Sequence, residues 1–223
     1  MPVSNIEYDN LFTLTFSLLK PKSVLDIGSG QGKYGTYCRK LAQQFNIKCQ
    51  IEAVEPDGEY ISVFQLNSLY DTVHNIDAYD IISNDSIRAE LVVLGDVLEH
   101  IPKSKGVDLL EYLISTCSYV YLVCPFDSPQ EAWRPPDVWL GPSLMKDQLH
   151  LNERHISIWD QSDFSRYRNA CVFSTPTMTA SVINGISLTS STRIKIVELG
   201  DLLVGRVGSN SILTTPNPFS TDR

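Results

Sequence analysis

Val24-Leu25-Asp26-Ile27-Gly28-Ser29-Gly30-Gln31-Gly32 reads as a buried strand that runs straight into a glycine-rich turn. Two β-branched residues flank a Leu-Asp pair, and three glycines follow at alternate positions. Glycine accepts a left-handed backbone and has no Cβ to block the close approach of a ligand. One acid, Asp26, lies inside the motif, and a second, Glu55, follows the next apolar run. Two carboxylates beside such a turn suit a nucleoside-containing cofactor better than a free phosphate.

Outward from that turn, apolar runs alternate with helical patterns, which implies crossover connections and a parallel sheet. Strands are expected at Ser23–Ile27, Gln50–Val54, Thr72–Asn75, Glu90–Leu94 and Tyr119–Cys124. Helices are expected at Lys33–Phe45, Glu59–Leu69 and Val107–Thr116, the last with Leu109, Leu110, Leu113 and Ile114 on one face. The run Leu11–Leu19 carries Thr13, Thr15 and Ser17, lacks a basic leader and stops at Lys20-Pro21. It is expected to be a short helix covering one edge of the sheet, neither a signal peptide nor a membrane span.

The alternation breaks after Pro125. Residues 126–158 are rich in Pro, Trp, His and charge, and a loop of that length is expected to be a substrate lid. A helix capped by Asp160 follows at Asp160–Arg168. The Ser/Thr-rich stretch 174–192 shows no clear period, and Arg193–Glu198 with Leu202–Val207 suggests a hairpin about Gly200-Asp201. One domain is expected over residues 1–208, and the apolar-poor residues 209–223 are expected to form a flexible tail.

Composition narrows the function. The 223 residues carry a formal net charge of −8. That argues against a dedicated nucleic-acid or anionic-membrane binder, which needs a Lys/Arg surplus. The five cysteines are odd in number, scattered and without a Cys-x-x-Cys pair, as expected of reduced core thiols in a cytoplasmic protein.

In an open parallel sheet, ligands bind outside the carboxyl ends of the strands. The glycine turn, Glu55, Asp77 and Asp96 all fall at or just past expected strand ends. A carboxylate at Glu55 can accept both hydrogen bonds of a ribose diol. Asp77 is placed to accept from the exocyclic amine of adenine, and Asp96 stands at the mouth where a reacting group would lie.

The segments Val24–Gly32, Val54-Glu55-Pro56-Asp57, Asn75-Ile76-Asp77-Ala78 and Leu94-Gly95-Asp96-Val97-Leu98-Glu99-His100-Ile101 resemble, in order and spacing, the successive motifs of class I S-adenosylmethionine-dependent methyltransferases. The resemblance covers about the first 125 residues. It implies an α/β fold: a single Rossmann-like, doubly wound, seven-stranded sheet, mostly parallel with an antiparallel C-terminal hairpin strand. It implies S-adenosyl-L-methionine as cofactor, with Glu55 on the ribose, Asp77 on the adenine amine and the Ala78 amide on the ring. Gly28, Ser29, Gly30 and Gly32 would then surround the methionine portion, oriented by Asp26, with Pro56, Asp96 and Val97 completing the site. Asn152–Trp159 is similar to an Arg-His-x-Ser-x-Trp stretch in a group of poorly characterised methyltransferase-like proteins, some near surface-polysaccharide genes.

The expected activity is therefore methyl transfer to oxygen or nitrogen of a small-molecule or saccharide acceptor. A hydroxyl acceptor needs a base, and His155 then His150, in the expected lid, are the candidates. Two other readings stay open. The chain could keep the fold as a non-catalytic S-adenosylmethionine-binding or scaffold protein. It could also be an NAD-dependent oxidoreductase, since Gly30–Gly35 satisfies G-x-G-x-x-G, although that leaves Asp77 and the Asp96–His100 motif unexplained. Asp96 and Glu99 are the two acids that suggest magnesium, but no second carboxylate cluster accompanies them, and the expectation is no metal.

Overall fold

The computed structural model describes residues 8–84, 86–125, 155–167 and 170–185. Within them lie α1 (Asp9–Leu19), β1 (Ser23–Ile27), α2 (Lys33–Gln44), β2 (Gln50–Val54), α3 (Gly58–Val63), α4 (Leu66–Leu69) and β3 (Thr72–His74). A 3-10 turn, Ala78–Ser83, leads to β4 (Leu91–Gly95). A second, Leu98–His100, leads to α5 (Lys103–Thr116) and β5 (Tyr119–Pro125). The segment after residue 154 supplies α6 (Gln161–Ser165), β6 (Ala170–Ser174) and β7 (Met178–Asn184).

The described strands form one seven-stranded sheet in the order β3-β2-β1-β4-β5-β7-β6. Strands β3, β2, β1, β4 and β5 are parallel, β7 runs antiparallel to β5, and β6 antiparallel to β7. Strand order reverses at β1, between β2 and β4. The carboxyl ends of β1 and β4 therefore open a crevice, the usual ligand position in such sheets.

Both faces of the sheet are covered. Val24, Ile51, Ala53, Val93, Tyr121 and Val123 pack on one side against Phe12 and Phe16 of α1 and Cys38 and Leu41 of α2. Leu25, Ile27, Val92, Leu94, Val120 and Leu122 pack on the other against Leu109, Leu110 and Leu113 of α5, with Trp159 and Phe164 beyond. Double-sided burial is why these strands read as continuous apolar runs rather than as alternation. Each fully buried Leu, Val or Phe contributes about 1.5–3 kcal/mol.

Several expectations change. Helix α1 lies on a face of the sheet, not along an edge. Phe12 meets Tyr34 and Tyr121 at centroid distances of 4.8 and 5.2 Å, and the Tyr121 hydroxyl donates to the Tyr8 carbonyl at 3.0 Å. The single helix expected at Glu59–Leu69 breaks in two at Gln65, whose left-handed backbone (φ 51°) swings Leu66 fully into the core. Helix α5 starts at Lys103, upstream of Gly106. A helical glycine costs about 1 kcal/mol relative to alanine, but here Trp159 occupies the space a side chain at Gly106 would take.

The antiparallel pair is β6/β7, of which β7 falls in the stretch with no legible period. All seven residues of β7 are buried, so its polar members must bond back to the sheet. Thr179 Oγ1 donates to the Phe173 carbonyl at 3.2 Å and Ser181 Oγ to the Cys171 carbonyl at 3.1 Å. The hairpin expected at 193–207, residues 126–154 of the expected lid and the tail 209–223 lie outside the described residues. All five cysteines are free thiols, and all but Cys49 are buried. No described helix is long and apolar enough to cross a membrane.

Candidate functional site

The chain leaves β1 through three left-handed glycines, Gly28 (φ 67°), Gly30 (φ 51°) and Gly32 (φ 78°). The loop is tied to the neighbouring strand end: the Gly28 amide donates to the Val54 carbonyl at 2.8 Å. Glu55, one residue past β2, is buried, and its carboxylate gathers the loop. Oε2 accepts from the Gly30 amide at 2.8 Å and Oε1 from the Asp57 amide at 3.1 Å. Burial pushes the Glu55 carboxyl up from its ordinary value, and the two amides oppose that rise. Each oxygen keeps lone pairs for further donors.

At Gly28 and Gly32 the close approach that glycine permits is made first by the protein itself. A Cβ on Gly28 would lie 2.6 Å from Val97 Cγ2, and one on Gly32 2.5 Å from Leu69 Cδ2. The first contact joins the loop after β1 to the loop after β4, the two walls of the crevice. Ser29, in the first of these loops, is buried, with an Oγ that finds no hydrogen-bond partner among the described residues.

Asp26 faces away from this rim into the core. Tyr70 donates to Asp26 Oδ2 at 2.5 Å and accepts from the Gly35 amide at 3.2 Å. A Cβ on Gly35 would fall 2.4 Å from the Tyr70 ring, so the third glycine of the G-x-G-x-x-G pattern is explained by this packing. Burial holds the Asp26 carboxyl up at about 7, against the lowering effect of the Tyr70 and Gly35 hydrogen bonds. Tyr70 carries no local signal of this role in the sequence, because it lies 44 residues downstream of Asp26 in a short irregular segment.

Asp77 is exposed, and its Oδ1 accepts from the Tyr79 amide at 2.8 Å, capping the 3-10 turn that begins at the buried Ala78. Asn75 clamps the adjacent loop: Nδ2 donates to the carbonyls of Glu55 at 2.8 Å and of the exposed Pro56 at 3.0 Å. The carboxyl ends of β2 and β3 are thereby held together.

Strand β4 ends at Gly95, which Tyr34 overlies so closely that a Cβ there would meet its ring at 2.1 Å. Asp96 then turns the chain with a left-handed backbone (φ 56°) while its amide still donates to the Val123 carbonyl at 2.9 Å. Aspartate tolerates that conformation better than most residues. Three residues on, Glu99 is 1% exposed. Burial, and after it the charge of Asp96, push its carboxyl well above the ordinary range.

The described part of the Arg-His-x-Ser-x-Trp stretch, residues 155–159, docks on this turn. Ile156 and Ser157 amides donate to the Glu99 carbonyl at 2.7 and 3.1 Å. Ser157 Oγ and Trp159 Nε1 both donate to the Leu98 carbonyl at 2.9 Å. Alternate residues face alternate sides: Ser157 and Trp159 are buried, while Ile156 and Ile158 are exposed. His155 falls on the buried side of that alternation and meets His100 edge-on at a centroid distance of 4.8 Å. His150 lies outside the described residues.

The rim thus brings together the loop after β1, Glu55 and the turn after β4, with Asp77 at the neighbouring strand end. An open depression lined by Lys22, Arg39 and Lys48 lies at the amino ends of β1 and β2, the opposite end of the sheet from the rim.

No protein-family model and no curated protein matches the sequence. Solved structures do match in fold. The N-terminal domain of EvdMO1, solved with SAH bound, superposes with a TM-score of 0.55 at 12% identity over 82% of each chain. TehB from Haemophilus influenzae gives 0.55 at 10% identity over 79% of this chain and 62% of that one. An O-methyltransferase family protein from Burkholderia thailandensis gives 0.54 at 11% identity over 79% of this chain. This chain spans about half of that protein's length, 54%. The sheet order, the antiparallel C-terminal pair and these superpositions give one result: the chain carries the class I S-adenosylmethionine-dependent methyltransferase fold.

Proposed function

We propose that the chain is an S-adenosylmethionine-dependent methyltransferase acting on oxygen or nitrogen of a small-molecule or saccharide acceptor. One observation carries the reading. The buried Glu55 carboxylate is fastened to the glycine loop through Gly30, at the strand-order reversal of this fold. The EvdMO1 domain, which shares the fold at 13% identity, was also solved in the presence of SAH and D-fucose, which supports including sugars among the acceptors.

The residues fit the cofactor. Ser29 offers a buried hydroxyl with no partner among the described residues, and Glu55 retains acceptor capacity on both oxygens. When bound, S-adenosylmethionine supplies a methyl group already activated on a sulfonium. Glu55 accepts from the ribose diol. Asp77 accepts from the adenine amine, the Ala78 amide meets the ring, and Pro56 lies beside it. Gly28, Ser29, Gly30 and Gly32 enclose the methionine portion together with Asp96 and Val97, and Asp26 fixes the loop from beneath through Tyr70 and Gly35. Positioning an acceptor in line with the methyl carbon supplies about 7–11 kcal/mol of barrier lowering. A hydroxyl acceptor must also lose its proton. His155 stands beside His100 and Glu99 rather than alone, so we assign the acceptor proton to that cluster and not to a solitary imidazole.

Calorimetric titration of the full chain with S-adenosylhomocysteine tests the reading. Saturable binding is expected, with no heat from NAD. Glu55→Ala is expected to weaken binding at least about 100-fold, since two hydrogen bonds to a charged group contribute about 1.5–3 kcal/mol each. Glu55→Gln, which keeps the shape, guards against loss of fold. Absence of binding at millimolar ligand, or unchanged affinity in both variants, overturns it.

A further inference from the structure

Glu99 is a buried acid at the turn after β4. Neither of its carboxylate oxygens accepts a hydrogen bond from them, although the group is 1% exposed. A carboxylate buried without compensation is strongly unfavourable. Its surroundings are specific. His100 Nε2 lies 3.9 Å from Glu99 Oε1. One donor atom each from Glu99, His100 and His155 lies within 4.8 Å of the others.

The placement of His155 is itself built. Its two following amides are hydrogen-bonded to the Glu99 carbonyl, and Ser157 and Trp159 anchor the segment through the Leu98 carbonyl. Four hydrogen bonds therefore hold a half-buried imidazole against the residue whose carboxylate needs a counter-charge. Plain hydrophobic packing would not require a histidine there.

We propose that Glu99, His100 and His155 form a binding site for a first-row divalent cation of the zinc class. Two imidazoles and one carboxylate are a nitrogen-rich donor set, which zinc, cobalt and manganese accept and which calcium and magnesium, binding through oxygens and water, do not favour. Bond lengths of about 2.0–2.2 Å require the three donors to close together modestly, a movement available to two half-buried imidazoles. Asp96 adds negative charge nearby and favours cation entry. Cation binding stands independently of methyl transfer. Where that reading also holds, an acceptor hydroxyl would take an open position of the three-ligand site and lose its proton to solvent, because cation-bound imidazoles no longer accept it.

The test uses the full chain, stripped with chelator and dialysed. Co2+ is titrated while its visible absorption is followed, and Zn2+ and Mg2+ are titrated by calorimetry. Expected is one equivalent of Co2+ with the intense bands of a low-coordinate nitrogen-oxygen site, displaced by Zn2+ and not by Mg2+. His100→Ala and His155→Ala should each weaken Co2+ binding at least about tenfold with the melting transition retained. Glu99→Gln should do the same, and if it fails to fold, the two histidine variants decide. No saturable Co2+ binding, or one equivalent bound by His155→Ala with the affinity of the parent, overturns the proposal. S-adenosylhomocysteine binding without Co2+ binding would sink this site alone, and the reverse would sink the methyl-transfer reading alone.

Discussion

Trp159 hands its indole N–H to the carbonyl of Leu98 at 2.9 Å, joining residues 61 positions apart. The ring is 1% exposed, stacks on Phe164 at 5.7 Å and 10°, and lies under Lys103 Nζ at 4.4 Å. With the Ser157 and Ile156 hydrogen bonds, this contact fixes the segment that delivers His155 to the turn after β4.

Gly106 tests how tight that contact is. In an open helix, Gly→Ala stabilises by about 1 kcal/mol. Here a Cβ would sit 2.6 Å from Trp159 Cζ2, a ring with no slack. Gly106→Ala is therefore expected to lower the melting temperature, with overpacking costing about 1–3 kcal/mol. The double variant with Trp159→Leu should show coupling, the alanine costing less beside the smaller side chain. A Gly106→Ala protein more stable than the parent would disprove the packing account.

Ser157 accepts from Trp159 Nε1 at 2.8 Å while donating to Leu98. Ser157→Ala removes both bonds and leaves the indole its Leu98 partner. The expected loss of stability is about 1–2 kcal/mol, read by urea denaturation. A second, weaker effect is expected on Co2+ affinity, because the serine holds His155 in register without ligating. Affinity that falls as far as in His155→Ala would mean that the serine ligates the metal itself.

Asp26 gives stability a pH dependence of definite sign. Its carboxyl ordinarily titrates at 3.8 and is held at about 7 in the fold, so between those values the folded state binds more protons than the unfolded one. Stability from the protonated form is whole below about pH 4, declines as pH rises to about 7, and is flat above. The total is on the order of 4 kcal/mol. Asp26→Asn keeps an acceptor for Tyr70 and should flatten this slope, leaving the variant at least as stable as the parent at pH 8. Denaturant titrations at pH 5 and pH 8 decide, and parallel slopes in both proteins would refute it.

Asp77 has a structural and a proposed binding role, which Asp77→Ser separates. Serine caps helical turns well and can still accept from the Tyr79 amide, but it is too short to reach an adenine amine. Stability should change by no more than about 0.5 kcal/mol. S-adenosylhomocysteine affinity should fall roughly tenfold, about 1.4 kcal/mol. Equal affinity in the two proteins would reduce Asp77 to a cap.

The five parallel strands are legible along the chain. Strands buried on both faces are continuous apolar runs, and the glycines after β1 mark a backbone that only they adopt readily, so β1 and β2 match their expected bounds residue for residue. The sequence also places Glu55, Asp77 and Asp96 at strand ends, because the end of an apolar run is a local fact. What those ends touch depends on contacts between distant residues. Tyr70 under Asp26, Asn75 clamping Glu55 and Pro56, and Trp159 over Gly106 are contacts across 19 to 53 positions, and no periodicity encodes them. Strand β7 was illegible because buried Ser and Thr bonded to the backbone look, in one dimension, like loop. His100 and His155 look like two isolated histidines along the chain; folding sets both against a buried carboxylate that finds no hydrogen bond among the described residues.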